Sequence, residues 1–122
     1  MSDQSLKEFV MDQLRSIPDL RVRPMFGGYG LYQDQLFFGI LIQGRLYFKT
    51  DDKTRIAYAE RGMKPFVYEK TKRVMTMTYF EVPSDVLEDS EILCAWARLA
   101  VAVAASTPRK SRKTSDSKAG AR

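Results

Sequence analysis

The strongest fold signal in the chain is the run LFFGILI at residues 36–42, which is followed by QG at 43–44 and RLYFK at 45–49. A nearly continuous apolar run of this length is typical of a central strand that is covered on both faces. Glycine supplies the positive φ that a two-residue turn requires, so Gln43-Gly44 predicts a hairpin between the two runs. The flanking segments have to pack against this hairpin.

The segment before the hairpin is rich in glycine and reads RPMFGGYGLY at residues 23–32. Three glycines in four residues indicate a tight turn or bulge where a Cβ would clash, between a strand near Val22 and a strand at Leu31-Tyr32. A phosphate-binding loop is the alternative, but the spacing fits neither the dinucleotide fingerprint nor the P-loop. A strand follows the glycines where an anion site would need a helix N-terminus. A structural turn is therefore the favoured interpretation.

Two more β-type runs follow the hairpin, at residues 66–69 and 74–82. The polar residues between them predict a solvated hairpin turn that carries Lys70, Lys72 and Arg73. Pro83 ends the second run, and Ser84-Asp85 predict the cap of a new helical turn. The short connections between strands favour antiparallel pairing.

Three helices complete the pattern. The first has a capping box at Ser5 and Glu8 and ends before Pro18. Its apolar residues recur at three- and four-residue steps: Leu6, Phe9, Val10, Leu14 and Ile17. A short middle helix spans about residues 52–61, with caps from residues 50–52 and Gly62 at its C′ position.

The last helix spans about residues 89–105 and carries an apolar stripe that must pack on the sheet. The stripe is Ile92, Leu93, Trp96, Leu99, Ala100 and Val103. The fold class that follows is α+β: an antiparallel sheet of about five to six strands built from hairpins. The N-terminal and C-terminal helices and the short middle helix pack on this sheet.

Charge divides the chain into two parts. The 122 residues carry a formal net charge of +5, and the whole of it comes from the stretch after residue 107. We therefore predict a folded, electrically balanced domain at residues 1–107 and a disordered basic tail at residues 108–122. The tail cations considered for nucleic-acid contact are Arg109, Lys110, Arg112, Lys113 and Lys118.

Composition excludes several kinds of chemistry. The chain has no histidine, which removes imidazole-based nucleophile activation and histidine metal ligation. Its one cysteine, Cys94, lies in an apolar helical stretch and is expected to be a buried thiol. The carboxylates of Asp51-Asp52 and of residues 88–91 stand at helix starts, where they complement the helix dipole. We predict no catalytic residue, no cofactor and no metal.

Neither a membrane span nor a signal peptide is apparent in the sequence. The expected location is therefore the cytoplasm.

Ten aromatic residues fall on the expected strands between residues 29 and 80. Exposed aromatics on a sheet can stack single-stranded bases, whereas buried ones fill a core or form cross-strand pairs. The zero net charge of residues 1–107 favours the core, because a base-stacking sheet normally lies beside a basic groove. The tail can neutralise phosphates without any fold, although a role in solubility is the alternative.

Three strings of residues together resemble the TfoX N-terminal domain family, also called Sxy, of bacterial regulators associated with natural competence. The strings are RPMFGGYGLY at residues 23–32, GMKPFVY at 62–68 and MTYFEVP at 77–83, and the last helix also fits. The signature residues are Arg23, Pro24, Met25, Phe26, Gly27, Gly28, Tyr29, Gly30, Pro65, Phe66, Tyr68, Tyr79 and Pro83. The resemblance spans about residues 5–105. The family's usual Asp-Gly turn is Asp34-Gln35 here, and Phe80 replaces a tyrosine.

The resemblance implies an α+β domain that acts as a transcriptional co-regulator with a global activator and is not an enzyme. Full-length competence regulators of this family carry a second, helical domain after this one. Here a short basic tail stands in its place, so we expect a stand-alone N-terminal domain. The function predicted is a regulatory module with a protein partner, the transcription machinery or a global activator, and with nonspecific DNA contact through the tail. A protein-interaction or homo-oligomerisation module without a nucleic-acid role is the alternative, and a small-molecule-binding domain is a third possibility.

Overall fold

The computed structural model describes residues 3–25, 27–66 and 78–106. In chain order, the elements are α1 (Asp3–Gln13), β1 (Leu20–Met25), β2 (Gly28–Gln33), β3 (Leu36–Ile42), β4 (Arg45–Lys49), α2 (Arg55–Glu60), β5 (Tyr79–Glu81), α3 (Ser84–Leu87) and α4 (Ser90–Ser106). The five strands form one sheet in the order β1-β2-β3-β4-β5, and each neighbouring pair is antiparallel. The predicted α+β fold is confirmed.

The hairpin turns follow the residue types that the sequence places there. Gln43 and Gly44 both have positive φ, at 54° and 75°, as a tight two-residue hairpin turn requires. Asp34, at the turn between β2 and β3, also has positive φ, at 54°. Asparagine and aspartate tolerate this conformation better than most other residues. The hairpin predicted at residues 36–49 is therefore confirmed.

A β-bulge in β3 gives the sheet two apolar faces. Leu31 pairs with Gly39 and Tyr32 pairs with Phe37, so Phe38 has no partner on β2. The extra residue shifts the alternation of side chains by one position. Phe38 and Leu41 consequently lie together in the main core, while Phe37 and Ile40 lie in a second cluster on the opposite face.

The main core lies between the sheet and the two long helices. From the sheet, the largest contributions come from Leu31, Phe38, Leu41, Leu46 and Phe48, all of them fully or almost fully buried. From the helical side come Leu6, Val10, Leu14, Leu93, Cys94, Ala97 and Ala100. α4 packs on β3 and β4. At about 25 cal/mol per Å² of apolar surface, this burial supplies most of the stabilisation of the domain.

The stripe predicted for α4 is wrong at two positions. Ile92 and Leu99 are 42% and 53% exposed, whereas Cys94 and Ala97 are buried against the sheet. Small side chains allow the helix axis to approach the sheet closely, and this rotates the helix so that Ile92 and Leu99 point away. The hydrophobic periodicity of a sequence shows which residues are apolar, but it does not show how closely the helix can approach the sheet.

The limits of α1 also differ from the prediction. The helix begins at Asp3, so Ser5 lies inside its first turn and the predicted capping box is wrong. The Asp3 carboxylate instead accepts hydrogen bonds from the backbone N–H groups of Gln43 (3.1 Å) and Gly44 (2.7 Å). The helix ends at Gln13, before the turns that precede Pro18, but Leu14 and Ile17 are buried as the stripe predicted.

The short helices start at other residues than the sequence suggested. α2 begins at Arg55 rather than near residue 52, and Gly62 follows it with a φ of 76°. Pro83, not Ser84, occupies the cap position of α3, so capping by Ser84-Asp85 is wrong. Of the run predicted at 74–82, Tyr79–Glu81 form β5; residues 67–77 lie outside the described part of the chain. The tail from residue 107 onward also lies outside it.

Candidate interaction surfaces

Residues from the three signature strings meet on the second face of the sheet, the face that carries Ile40 and Ile42. We call this the signature face and define it by Arg23, Met25 and Gly30 from the first string, Phe66 from the second and Tyr79 from the third. The guanidinium of Arg23 lies 5.7 Å from the ring centre of Tyr32. A Cβ on Gly30 would come within 2.5 Å of the Met25 sulfur, so the glycine leaves room for that side chain.

Aromatic rings connect the signature face across the strands. The ring of Phe37 lies 5.1 Å from that of Tyr32 and 5.5 Å from that of Tyr79, and the Tyr47 and Phe66 rings are 5.0 Å apart. Tilted and edge-on contacts at these distances stabilise a core. Every aromatic side chain in the described ranges is buried or half-buried, which supports the packing interpretation over base stacking.

Two tyrosines of this face, Tyr47 and Tyr79, are held as neutral hydroxyls. Burial raises the pKa of Tyr79, and the nearby Tyr32 raises it further. Burial also raises the pKa of Tyr47, and the negative charge of Glu81 raises it further. A phenol with a raised pKa is a weak proton donor near neutral pH, so these groups have no evident acid–base role.

The glycine-rich segment is structural, but only Gly27 lies in the predicted turn, because Gly28 and Gly30 belong to β2. Gly27 has a φ of 82°, and β2 begins directly after it at Gly28. A Cβ on Gly28 would lie 2.2 Å from the carbonyl oxygen of Leu41, so the backbones of β2 and β3 approach too closely for any side chain there. A strand rather than a helix follows, which supports the turn interpretation.

The other signature residues have separate structural positions. Pro24, on the edge strand β1, pairs with Tyr29 on β2. The ammonium of Lys7 lies 5.1 Å from the ring centre of Tyr29. Pro65 forms an isolated bridge with Phe80, and Pro83 is buried where α3 begins. Phe26 and Tyr68 lie outside the described residues.

A second surface, which we call the α2–α4 surface, exposes apolar side chains of α4 beside the place where α2 contacts it. It consists of Ile92, Trp96 and Leu99 on α4 and of Tyr58 and Arg61 on α2. Ile92 and Leu99 are 42% and 53% exposed. The Trp96 ring packs edge-on against Tyr58 at 4.7 Å, and the Arg61 guanidinium lies 5.5 Å from its centre. Arg61 also pairs with Asp85, and this pairing lowers the pKa of the Asp85 carboxyl.

A small pocket opens on the α2–α4 surface between Tyr58 and Trp96. Lys49, Thr54 and Leu99 also line it, and its volume is about 60 Å³. Pockets that bind small molecules usually have volumes of about 300–1,000 Å³. This pocket is therefore too small for a typical ligand.

The carboxylates at helix starts serve local structure. Asp51 accepts hydrogen bonds from the N–H groups of Lys53 and Thr54, and the bond from Thr54 contributes most to a lowered Asp51 pKa. Asp89 accepts one from the N–H of Ile92 and caps α4. Among the described residues, no cluster of three potential ligands from histidine, cysteine, aspartate and glutamate is placed to hold a metal ion.

Cys94 is buried, as predicted. Its sulfur lies 3.3 Å from both the carbonyl oxygen of Gln13 and the hydroxyl of Ser16, where α4 meets the end of α1. The thiol therefore fills a gap in the helix packing.

Sequence reasoning missed the α2–α4 surface because it placed Ile92 and Leu99 in the core. A signal was present in the sequence: the small residues Cys94, Ala97 and Ala100 recur at helical spacing and mark the sheet-facing side of α4. The tail cations Arg109, Lys110, Arg112, Lys113 and Lys118 lie outside the described residues. Within the described part of the chain, no helix has the length and apolar character that crossing a bilayer requires.

Comparison with known proteins gives two findings. The profile of the TfoX N-terminal domain matches residues 12–104. The chain is also similar to the DNA transformation protein TfoX1 of Aliivibrio fischeri, with 29% identity over 77 residues. That alignment covers 63% of this chain and 37% of the relative, so the chain corresponds to little more than a third of that protein. With a match across most of its described residues, this chain belongs to the TfoX N-terminal domain family.

Proposed function

We propose that this chain is a non-enzymatic regulatory module related to competence regulators. It binds a protein partner through its folded domain and contacts DNA nonspecifically through its basic tail. Family membership and the similarity to a DNA transformation protein support the regulatory class. By the same resemblance, the partner is a component of the transcription machinery or a global activator.

The observation that carries the protein-binding role is the α2–α4 surface. Two large aliphatic side chains, Ile92 and Leu99, are exposed two turns apart on the same side of α4. Single exposed apolar residues are common, but a group of them beside a half-buried tryptophan is typical of an interaction site. The opposite side of α4, with Cys94, Ala97 and Ala100, packs on the sheet, so Ile92 and Leu99 do not serve the core.

The observation that supports DNA contact is the position of the charge. Residues 1–107 are balanced, and the tail supplies the entire net charge of +5. A cation-rich segment gains affinity for a duplex by releasing counterions, and this gain depends strongly on salt. With about six phosphates neutralised, the logarithm of the binding constant should fall with the logarithm of salt concentration at a slope of about −5.

The test compares the full chain with a variant in which four tail cations become glutamine: Arg109→Gln, Lys110→Gln, Arg112→Gln and Lys113→Gln. Binding to a duplex of random sequence is measured over a range of salt concentrations. The account predicts a slope of about −2 for this variant, because only about two contacts remain.

The matched control removes four exposed cations from the folded domain: Arg15→Gln, Arg21→Gln, Lys53→Gln and Lys64→Gln. Its slope should stay close to that of the parent, because these side chains do not belong to the tail. Equal slopes for the parent and the tail variant would reject the tail as the DNA contact. The alternative function, a protein-interaction module without a nucleic-acid role, would then be favoured, because the α2–α4 surface does not depend on DNA.

A further inference from the structure

We propose that the outer face of α4 binds the same face of a second copy of this chain, with the two helices antiparallel and a two-fold axis at Ala95. The proposal rests on the proposed function in one respect: it takes the α4 part of the α2–α4 surface as an interaction surface. It names a second copy as the protein bound there, so a regulatory partner would contact the dimer outside this face. The outer face of α4 consists of Glu91, Ile92, Ala95, Arg98, Leu99 and Ala102, all of them exposed.

This face is unusual for the solvent side of a surface helix. Such a side normally carries charged and polar residues opposite the apolar stripe. Here Ile92 and Leu99 are 42% and 53% exposed, and alanines occupy positions 95 and 102. Only Glu91 and Arg98 are charged, and their charges cancel.

The residues form two parallel rows along the helix. Positions seven apart lie almost above one another on an α-helix, because two turns take 7.2 residues. Ile92 and Leu99 therefore form an apolar row, and Glu91 and Arg98 form a charged row beside it. Ala95 lies between the rows. Along the helix, the midpoint between Ile92 and Leu99 and the midpoint between Glu91 and Arg98 each fall within half a residue of Ala95.

In an antiparallel two-fold pairing, the apolar row of one helix faces the apolar row of the other, and the two charged rows also face each other. With the axis at Ala95, Ile92 faces the partner's Leu99, and Glu91 faces the partner's Arg98. Each contact occurs twice, as an isologous interface requires. A parallel pairing would place the apolar row of one helix against the charged row of the other, so the pattern favours the antiparallel arrangement.

The charges also select a second copy over other occupants. Glu91 and Arg98 are about 10 Å apart along the helix, which is too far for them to pair with each other. Neither is joined by an ion pair to any residue in the described ranges. A partner that satisfies both must present a cation and an anion at the same spacing beside an apolar row, and a second α4 does so. The small side chain of Ala95 lets the helices approach at the axis to about 8 Å.

The experiment is a charge-swap series on the full chain, measured by sedimentation over about 1–500 µM, a range that covers moderate dimer affinities. The variants are Glu91→Arg, Arg98→Glu and the double swap. Each single reversal places like charges opposite each other twice, and should raise the dimer dissociation constant about tenfold. The double swap restores opposite charges and should return the constant to within about threefold of the parent.

Arg15→Glu is the matched control, because it reverses a similar exposed cation away from the face, and it should leave the constant unchanged. Circular dichroism of each variant verifies folding. A parent chain that is monomeric throughout, or a double swap that dimerises no better than the single reversals, would overturn the proposal. The DNA slopes are measured separately, so a monomer that still binds duplex through its tail would reject the dimer without rejecting the proposed function.

Discussion

Gly28 shows how one residue fixes the geometry of the signature segment. Its absent side chain lets β2 approach β3 so closely that a Cβ would lie 2.2 Å from the carbonyl oxygen of Leu41. Its neighbour Gly27 has a different role, because a Cβ there would meet no atom within 4 Å and only the positive φ of 82° favours glycine. Adjacent glycines thus meet two separate physical requirements.

We predict that Gly28→Ala destabilises the domain by about 3 kcal/mol, because the backbone must shift to relieve the overlap. Gly27→Ala is the control and should cost about 1 kcal/mol, the usual penalty for an L-residue in a left-handed conformation. Urea unfolding of the two variants and the parent measures both values. Equal destabilisation by the two substitutions would show that the close approach to Leu41 is not the limiting contact.

The density of glycines predicted a tight feature from sequence, but not which glycine faces a neighbouring backbone. That distinction depends on the register of β2 against β3, which the bulge at Phe38 sets. A bulge adds one residue to one strand without a strong sequence signal. The second aromatic cluster, with Phe37, Ile40 and Tyr79, could not be predicted for the same reason.

Among the secondary-structure elements, α4 has two sides with different roles. One side packs on β3 and β4 through Ala97 and Ala100, and the opposite side exposes Ile92 and Leu99. The apolar pattern predicted the helix and its approximate limits. It did not predict which apolar residues face the sheet, because the close approach made possible by the alanines decides the rotation of the helix.

We expect Ala97→Leu to destabilise the domain by about 2 kcal/mol, since a larger side chain must be accommodated between α4 and the sheet. Ala105→Leu, at an exposed position of the same helix, should change stability by less than about 0.5 kcal/mol. Thermal and urea unfolding give both values. Similar small effects at the two positions would contradict the close packing of α4 on the sheet.

At the scale of the whole molecule, the hairpin-connected sheet followed from local signals: apolar runs, turn residues with positive φ and short connections. The charge division between a balanced domain and a basic tail can also be read directly from the sequence. The exposed surface on α4 could not be predicted, because it depends on how the helix is rotated against the sheet. We propose that this exposed face is an interface between two copies and not a solvated side of a helix.

Site-directed crosslinking at the proposed two-fold axis distinguishes an interface from a solvated surface. In a Cys94→Ala background, Ala95→Cys places a thiol opposite its own copy, within the Cα separation of about 6 Å that a disulfide needs. Position 102 is also exposed on the same face, but antiparallel packing separates the two copies of Ala102→Cys by about 20 Å. Under mild oxidation, the account predicts a covalent dimer from Ala95→Cys and little from Ala102→Cys. Equal crosslinking of both variants, or crosslinking of neither, would contradict it.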